Sequence, residues 1–295
     1  MIQVTCGIEP DLVDELEEHL CSWEISPWAL VVNRLTGEGS LDGYFTCVDE
    51  AKAAWAALRE LFLELAEEPT VSLVDDKDWK EAYKEHFRPW QKGSLHVVPA
   101  WEKESYPVPA GHRALYLDPG MAFGTGNHET TRLCLGALID FLETETHKDP
   151  TRLSCLDVGC GSGILTLAAK TLGFGEARGF DIDPSAVCIA EENAVANGLS
   201  NEVEFIRDDL ATALQTTCAD LLLANVQADV LCQHRAVLLT ALRPLGTLCL
   251  SGVLSDEAEK VKQDFIVEAE RLGISVFPEL RFAGEWAALL FRSDC

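Results

Sequence analysis

Positive charge is scarce in this sequence. Lysine and arginine together number 23 against 49 aspartates and glutamates, a formal net charge of −26. A surface of that sign repels phosphate backbones, which argues against direct nucleic-acid recognition through a basic face. It attracts a basic protein; solubility or a saline habitat is the other source such acidity can have. Long apolar runs are missing too. No stretch of about 18 uncharged apolar residues occurs, so neither a membrane span nor a membrane partner is expected. The opening MIQVTCGIEPDLVDELEEHL lacks a basic segment leading into an apolar core and does not read as a secretory signal, so the expected location is cytoplasmic. No C-x-x-C pair exists among the 11 cysteines, an odd and scattered set, which excludes a disulfide framework and a zinc ribbon. The cysteines read as small core residues and no metal is expected. Cys160 reads the same way, since no histidine motif accompanies it as a nucleophile would require.

Hydrophobic residues make up 47% of the chain, enough for a packed core, and 295 residues allow one large or two modest domains. The first 74 residues alternate as strand (2–8), helix opened by Pro10, strand (28–35), strand (41–48), helix capped by Asp49 and running over 50–68, and strand (70–74). This βαββαβ order is that of a small ferredoxin-like α+β unit. It carries no cluster of His, Cys or acids and is read as a recognition domain. Residues 75–104 mix charge, aromatics and proline and form a linker. Trp79, Tyr83, Phe87, Trp90 and Trp101 are expected to pack the domain junction rather than stack on bases. A second domain is expected over 105–295.

The chemistry is concentrated in two stretches. In LDVGCGSGILTLAAKTLGFGEARGFDIDP (156–184), a short apolar strand runs into Gly159, Gly161 and Gly163, and a helix and a second strand ending at Asp181 follow. Glycine lets a backbone turn sharply under a ligand, and an acid about 20 residues after the glycines meets ribose hydroxyls in nucleotide-binding βαβ units. Asp181 is 22 positions after Gly159. Glycines serving the fold alone are the alternative. Upstream, ALYLDPGMAFGTGNHETTRLCLGALIDFL (114–142) reads as a strand, a glycine-rich loop and a helix starting near His128 to Thr131, with more hydroxyls than capping requires.

GCGSG with Asp181 resembles motif I of the class I S-adenosylmethionine-dependent methyltransferases. Together with DPGMAFGTGNHETT, LLLANV, DKDWKEAYKEHFRPW and the closing GEWAALLFR, it is similar to the bacterial ribosomal-protein L-eleven methyltransferase family over nearly the whole chain. The resemblance implies an α/β, Rossmann-like seven-stranded methyltransferase domain behind the ferredoxin-like one, S-adenosyl-L-methionine as cofactor, and a basic large-subunit ribosomal protein as partner. It implies transfer to lysine side chains or an N-terminal amine, by a monomer. A lysine methyltransferase for another protein, such as an electron-transfer flavoprotein subunit, and a non-catalytic cofactor-binding module are the alternatives. By motif, Phe123, Thr125, Thr131, Gly159, Gly161, Asp181 and Asn225 are the cofactor contacts, and Asn225 is the catalytic candidate, with a purely structural role as its alternative. Asp208 is either an adenine contact or a turn acid. His128 is a helix-start or lid residue before it is a base. Gln227 stands where the family usually has an apolar residue, which alters the expected pocket.

Overall fold

The computed structural model describes residues 2–21, 27–32, 39–73, 88–118, 128–144, 149–215 and 217–294. The chain divides into two compact units, 1–86 and 87–295. Trp79, Tyr83 and Phe87 lie outside the described residues.

In the first unit, β1 (Ile2–Ile8), α1 (Pro10–Cys21), β2 (Trp28–Val32), β3 (Gly39–Phe45), α2 (Val48–Leu61) and β4 (Thr70–Leu73) follow the expected order. The strands pair antiparallel as β2-β3-β1-β4, the ferredoxin-like arrangement. Alternate residues of β1 (Ile2, Val4, Cys6, Ile8) face a core that also holds Leu16, Leu41, Trp28, Trp55 and Leu58. Asp49 is not the cap of α2. The helix begins two residues earlier, at Val48 with Cys47 at its N-cap, and Glu50 reaches back to accept from the Thr46 amide (3.0 Å) and hydroxyl (2.5 Å). It also stops at Leu61, well short of the expected 68. There the backbone of Phe62 turns extended and its N–H closes on the Leu58 carbonyl, while the Phe62 and Leu65 side chains stay in the core.

The second unit opens inside the stretch expected to be a linker. β5 (Trp90–Lys92) and β6 (Leu95–Pro99) pair with each other, and β6 pairs in parallel with β7 (Arg113–Leu117). Leu95, Val97, Leu115 and Leu117 enter the unit's core and Trp90 packs against it, so these residues belong to the second unit by burial despite their polar neighbours. Trp101 is exposed.

Next come α3 (Glu129–Thr144), β8 (Ser154–Val158), α4 (Ile164–Leu172), β9 (Glu176–Asp181), α5 (Pro184–Ala196), β10 (Glu204–Arg207), α6 (Leu210–Ala213), β11 (Ala219–Asn225), α7 (Ala228–Gln233), α8 (Arg235–Thr240), β12 (Leu242–Leu254), α9 (Ala258–Leu272), β13 (Val276–Ala283) and β14 (Trp286–Ser293). The seven-stranded sheet has the order β10-β9-β8-β11-β12-β14-β13. Its first five strands are parallel and β14 runs antiparallel between β12 and β13.

Burial on both faces explains the unbroken apolar run of β11. Leu221 and Leu223 pack on one side with α3 and α4 residues, whereas Leu222 and Ala224 pack on the other with α8 and α9 residues. The chain order reverses between β8 and β11, which opens a crevice at the carboxyl ends of the strands. Among the described residues no helix is long and apolar enough to cross a membrane.

Phe265 of α9 is fully buried and stacks on Phe291 of β14 with centroids 5.3 Å apart. Phe265→Ala should lower stability of this unit by about 3–5 kcal/mol, read from the shift in its urea midpoint. A loss under about 1 kcal/mol would show that the layer collapses around the gap.

Candidate functional site

A cavity of about 790 Å³ lies at the carboxyl ends of the parallel strands. It is bounded by the β8–α4 turn, the end of β9, the β10–α6 segment, the end of β11, the bulge of β12 and the start of β14.

Gly159, Gly161 and Gly163 all have positive φ (68°, 51° and 77°), conformations L side chains rarely adopt. The sequence reading gave the glycines to close approach by a ligand. At Gly159 the crowding comes from protein instead: a β-carbon there would stand 2.5 Å from Cγ1 of Val226. Gly252, at a register shift in β12, has φ +83° and would place a β-carbon 2.5 Å from the Val226 carbonyl oxygen. Val226 is therefore clasped between the two glycines, which fixes the segment carrying Asn225.

Asp181 ends β9 as expected and also braces the turn. Its Oδ2 accepts from the Gly161 amide (2.9 Å) and its Oδ1 from the Asp183 amide (3.0 Å). A carboxylate offers about four lone-pair sites, so both oxygens can still accept from ribose hydroxyls. The Asp208 amide donates to the Asp181 carbonyl oxygen, and the Asp208 side chain lines the cavity beside Leu210 and the exposed Ile182.

Thr131 is fully buried in the first turn of α3, and Asn225 Nδ2 approaches its hydroxyl at 3.4 Å. Asn225 Oδ1 is buried without a hydrogen-bond partner among the described residues, on a residue that lines the cavity. His128 holds Thr130 through Nδ1 (2.8 Å to the hydroxyl) and sets its ring against Trp286. Gln227 is exposed at the cavity wall. Phe123 and Thr125 lie outside the described residues. Cys160 is buried and its thiol is pushed well up by burial, then by the charges of Asp157 and Asp181, which leaves no thiolate for nucleophilic attack. Among the described residues no group of three or more His, Cys, Asp or Glu side chains could hold a metal ion.

Trp286 and Asp157 are among the lining residues that escaped the sequence reading of the site. Asp157 is 1% exposed; its Oδ2 accepts from the Thr166 amide (3.0 Å) and hydroxyl (2.9 Å), and its Oδ1 has no partner among the described residues. Burial raises this carboxyl to about 7 against the hydrogen bonds from Thr166, and Asp181 adds to the rise. Moving it from 3.8 to about 7 makes the ionised form roughly 4 kcal/mol harder to reach than in water. A buried orphan acceptor of this kind fits a ligand that brings a positive charge.

A glycine turn after the first strand of the reversal, an acid ending the next strand, and a seven-stranded sheet with one antiparallel strand define a class I methyltransferase. The orphaned Asp157 oxygen and the acid beside the turn suit its sulfonium donor, S-adenosylmethionine. The sequence model of "Ribosomal protein L11 methyltransferase (PrmA)" matches residues 12–293. The chain belongs to that family. It is 35% identical to the ribosomal protein L11 methyltransferase of Pelobacter propionicus, over 99% of this chain and 97% of that protein. With the Geobacter sulfurreducens counterpart it shares 42% identity, over 77% of this chain and 70% of that protein. The crystal structure of a ribosomal protein L11 methylase from Lactobacillus delbrueckii subsp. bulgaricus superposes with a TM-score of 0.60 at 29% identity, covering 71% of this chain and all of that one.

Because a cation favours the ionised carboxylate, and Asp157 titrates near 7 in the folded chain, donor affinity should hold above about pH 8 and fall as the pH drops through 7. The part due to Asp157 should be about tenfold between pH 8 and pH 6 and should vanish in Asp157→Asn. Calorimetric titration of both proteins across that range measures it. Parallel pH curves for the two would take Asp157 out of the donor's field.

Proposed function

We propose that this chain transfers methyl groups from S-adenosylmethionine to amines of ribosomal protein L11, on lysine side chains or the N-terminal amine, as a cytoplasmic monomer. The observation that carries the reading is Asn225, a residue of the cavity wall whose buried Oδ1 has no hydrogen-bond partner among the described residues. Leaving such an atom unsatisfied costs about 1–3 kcal/mol, which an acceptor's N–H would recover. Positioning is the main demand of the reaction, because a sulfonium needs no acid to leave. The amine must present its lone pair in line with the methyl–sulfur bond. A lysine amine has a reference pKa near 10.4 and must first lose a proton. A neutral carbonyl oxygen can align its hydrogens without locking it as an ammonium, as a carboxylate would. The names borne by the relatives agree with this acceptor.

The first unit serves as the recognition domain in this reading, with Thr131, Gly159, Gly161, Asp181 and Asn225 serving the donor in the second. Its sheet displays Asp42, whose carboxylate accepts from Gln3 (3.0 Å), Thr5 (2.6 Å) and Ser40 (3.2 Å), a fixed negative charge suited to a basic protein. The hydrophobic core of that unit is its own.

Asn225→Ala should slow single-turnover methylation of purified L11 by about 100-fold, the scale of removing one group that acts mainly in the transition state. Affinity for L11 should change far less. A normal rate at saturating donor would reduce Asn225 to a structural residue. Removing residues 1–86 should leave donor affinity nearly unchanged and lower kcat/KM for intact L11 at least tenfold, through the lost effective concentration of substrate. A fragment that methylates L11 as well as the whole chain does would refute the recognition role.

A further inference from the structure

The cavity has two chemically different ends. At the β8, β9 and β10 side its lining carries the carboxyl groups of Asp157, Asp181 and Asp208. At the β11, β12 and β14 side it is lined by Thr131, Asn225, Gly252, His128 and Trp286, and among the described residues no carboxylate and no lysine or arginine joins them. Asn225, the group proposed to face the acceptor, belongs to this second end, and so does one large aromatic ring.

That ring is held by the sheet. Trp286 is the first residue of β14, paired with Leu254 of β12 on one side and Ala283 of β13 on the other. Its indole meets the His128 imidazole edge-to-face, with centroids 5.0 Å apart and planes at 65°. His128 is fixed in turn by Thr130, whose carbonyl oxygen accepts from the Ser251 hydroxyl of β12 (3.2 Å). The start of α3, β12 and β14 thus form one linked frame around the indole.

We propose that Trp286 is the specificity-determining residue that holds the acceptor nitrogen once it carries methyl groups, and that it thereby sets how far methylation of one amine proceeds. This rests on the amine reading of the site. In each transfer the nitrogen lone pair forms the new C–N bond as the methyl–sulfur bond breaks. Sulfur keeps the bonding pair and becomes a neutral thioether, while nitrogen takes the positive charge. Loss of a proton to water then restores a lone pair for the next transfer. Every methyl group added replaces an N–H, so Asn225 Oδ1 loses one donor per step, and a neutral tertiary amine has none to offer. A third transfer gives a quaternary ammonium with no proton to lose. The hydrogen-bonding grip therefore fades while the nitrogen becomes a bulky cation coated with methyl groups. The face of an indole attracts such a cation through its quadrupole and makes dispersion contact with the methyls. A carboxylate would attract it as well, but it would also hold the earlier intermediates as ammonium ions, and among the described residues this end of the cavity has none.

The test uses the full chain with purified ribosomal protein L11 and follows the mono-, di- and trimethyl states of each modified amine by mass spectrometry. Trp286→Leu should slow the later transfers at least tenfold more than it slows the first, so that monomethyl product accumulates. Trp286→Phe should restore most of the later steps. A second measurement needs no variant: the parent should bind a trimethyllysine peptide at least fivefold more tightly than its neutral tert-butyl isostere. The proposal is overturned by a folded Leu variant with the parent's product distribution, by a parent that stops at one methyl group, or by equal affinity for the two peptides. Methylation confined to atoms other than amine nitrogens would overturn the amine reading and this proposal with it. Normal amine methylation with an unaltered distribution would overturn this proposal alone.

Discussion

A buried carboxylate with one satisfied oxygen and one orphan is the constraint on which the site depends. Oδ2 of Asp157 ties the end of β8 to the first turn of α4 through both donors of Thr166, so the glycine turn between them is stretched over a fixed span. Asp181 pins the middle of the same turn at the Gly161 amide. Burial drives the rise of Asp157 to about 7, and the charge of Asp181 adds to it. An apolar residue at position 157 would remove the desolvation penalty but also the tie to α4. The arrangement trades stability of the empty fold for a site already shaped to receive a positively charged ligand.

The opposite wall of the cavity is fixed by packing. Val226 fits into the space that the missing β-carbons of Gly159 and Gly252 leave, so a side chain at either glycine would push against the residue next to Asn225. Gly159, the first glycine of the turn, thus also sets the position of the Asn225 amide. On the proposed reading, donor and acceptor geometry are coupled through one valine, and an in-line displacement needs that coupling, since misplacement by about 1 Å can cost two orders of magnitude in rate.

Much of this was legible in the sequence because it is local. The run from Leu156 to Pro184 spells strand, turn, helix and strand in contiguous residues, and Asp181 stands where such a unit needs its acid. Asn225 was legible by motif, at the end of the apolar run in LLLANV. What stayed hidden depends on contacts between distant segments. Trp286 opens the last strand and reaches the cavity only because β14 inserts beside β12. Gly252 reads as an ordinary strand glycine until Val226 is placed against it. Within 75–104 the apolar run that β6 buries reads as a strand, but the charge and proline around it set the stretch as a whole down as a linker. The misplaced start of α2 has a local cause: Glu50 caps backward to Thr46, a role that a first-turn acid shares in sequence with Asp49.

The acidity of the chain and the neutrality of its acceptor end act at different distances. A net charge of −26 acts over many ångströms and draws a basic protein toward the surface from any direction, most strongly at low ionic strength. The same charge placed beside the acceptor nitrogen would work against the reaction, because a nearby carboxylate favours the protonated amine and so removes the lone pair that must attack. The cavity separates the two effects. Its carboxyl groups stand on the β8, β9 and β10 side, whereas an amide, hydroxyls and rings line the other. An amine drawn in by the exterior charge therefore meets, at the point of transfer, groups that can orient it without holding its proton.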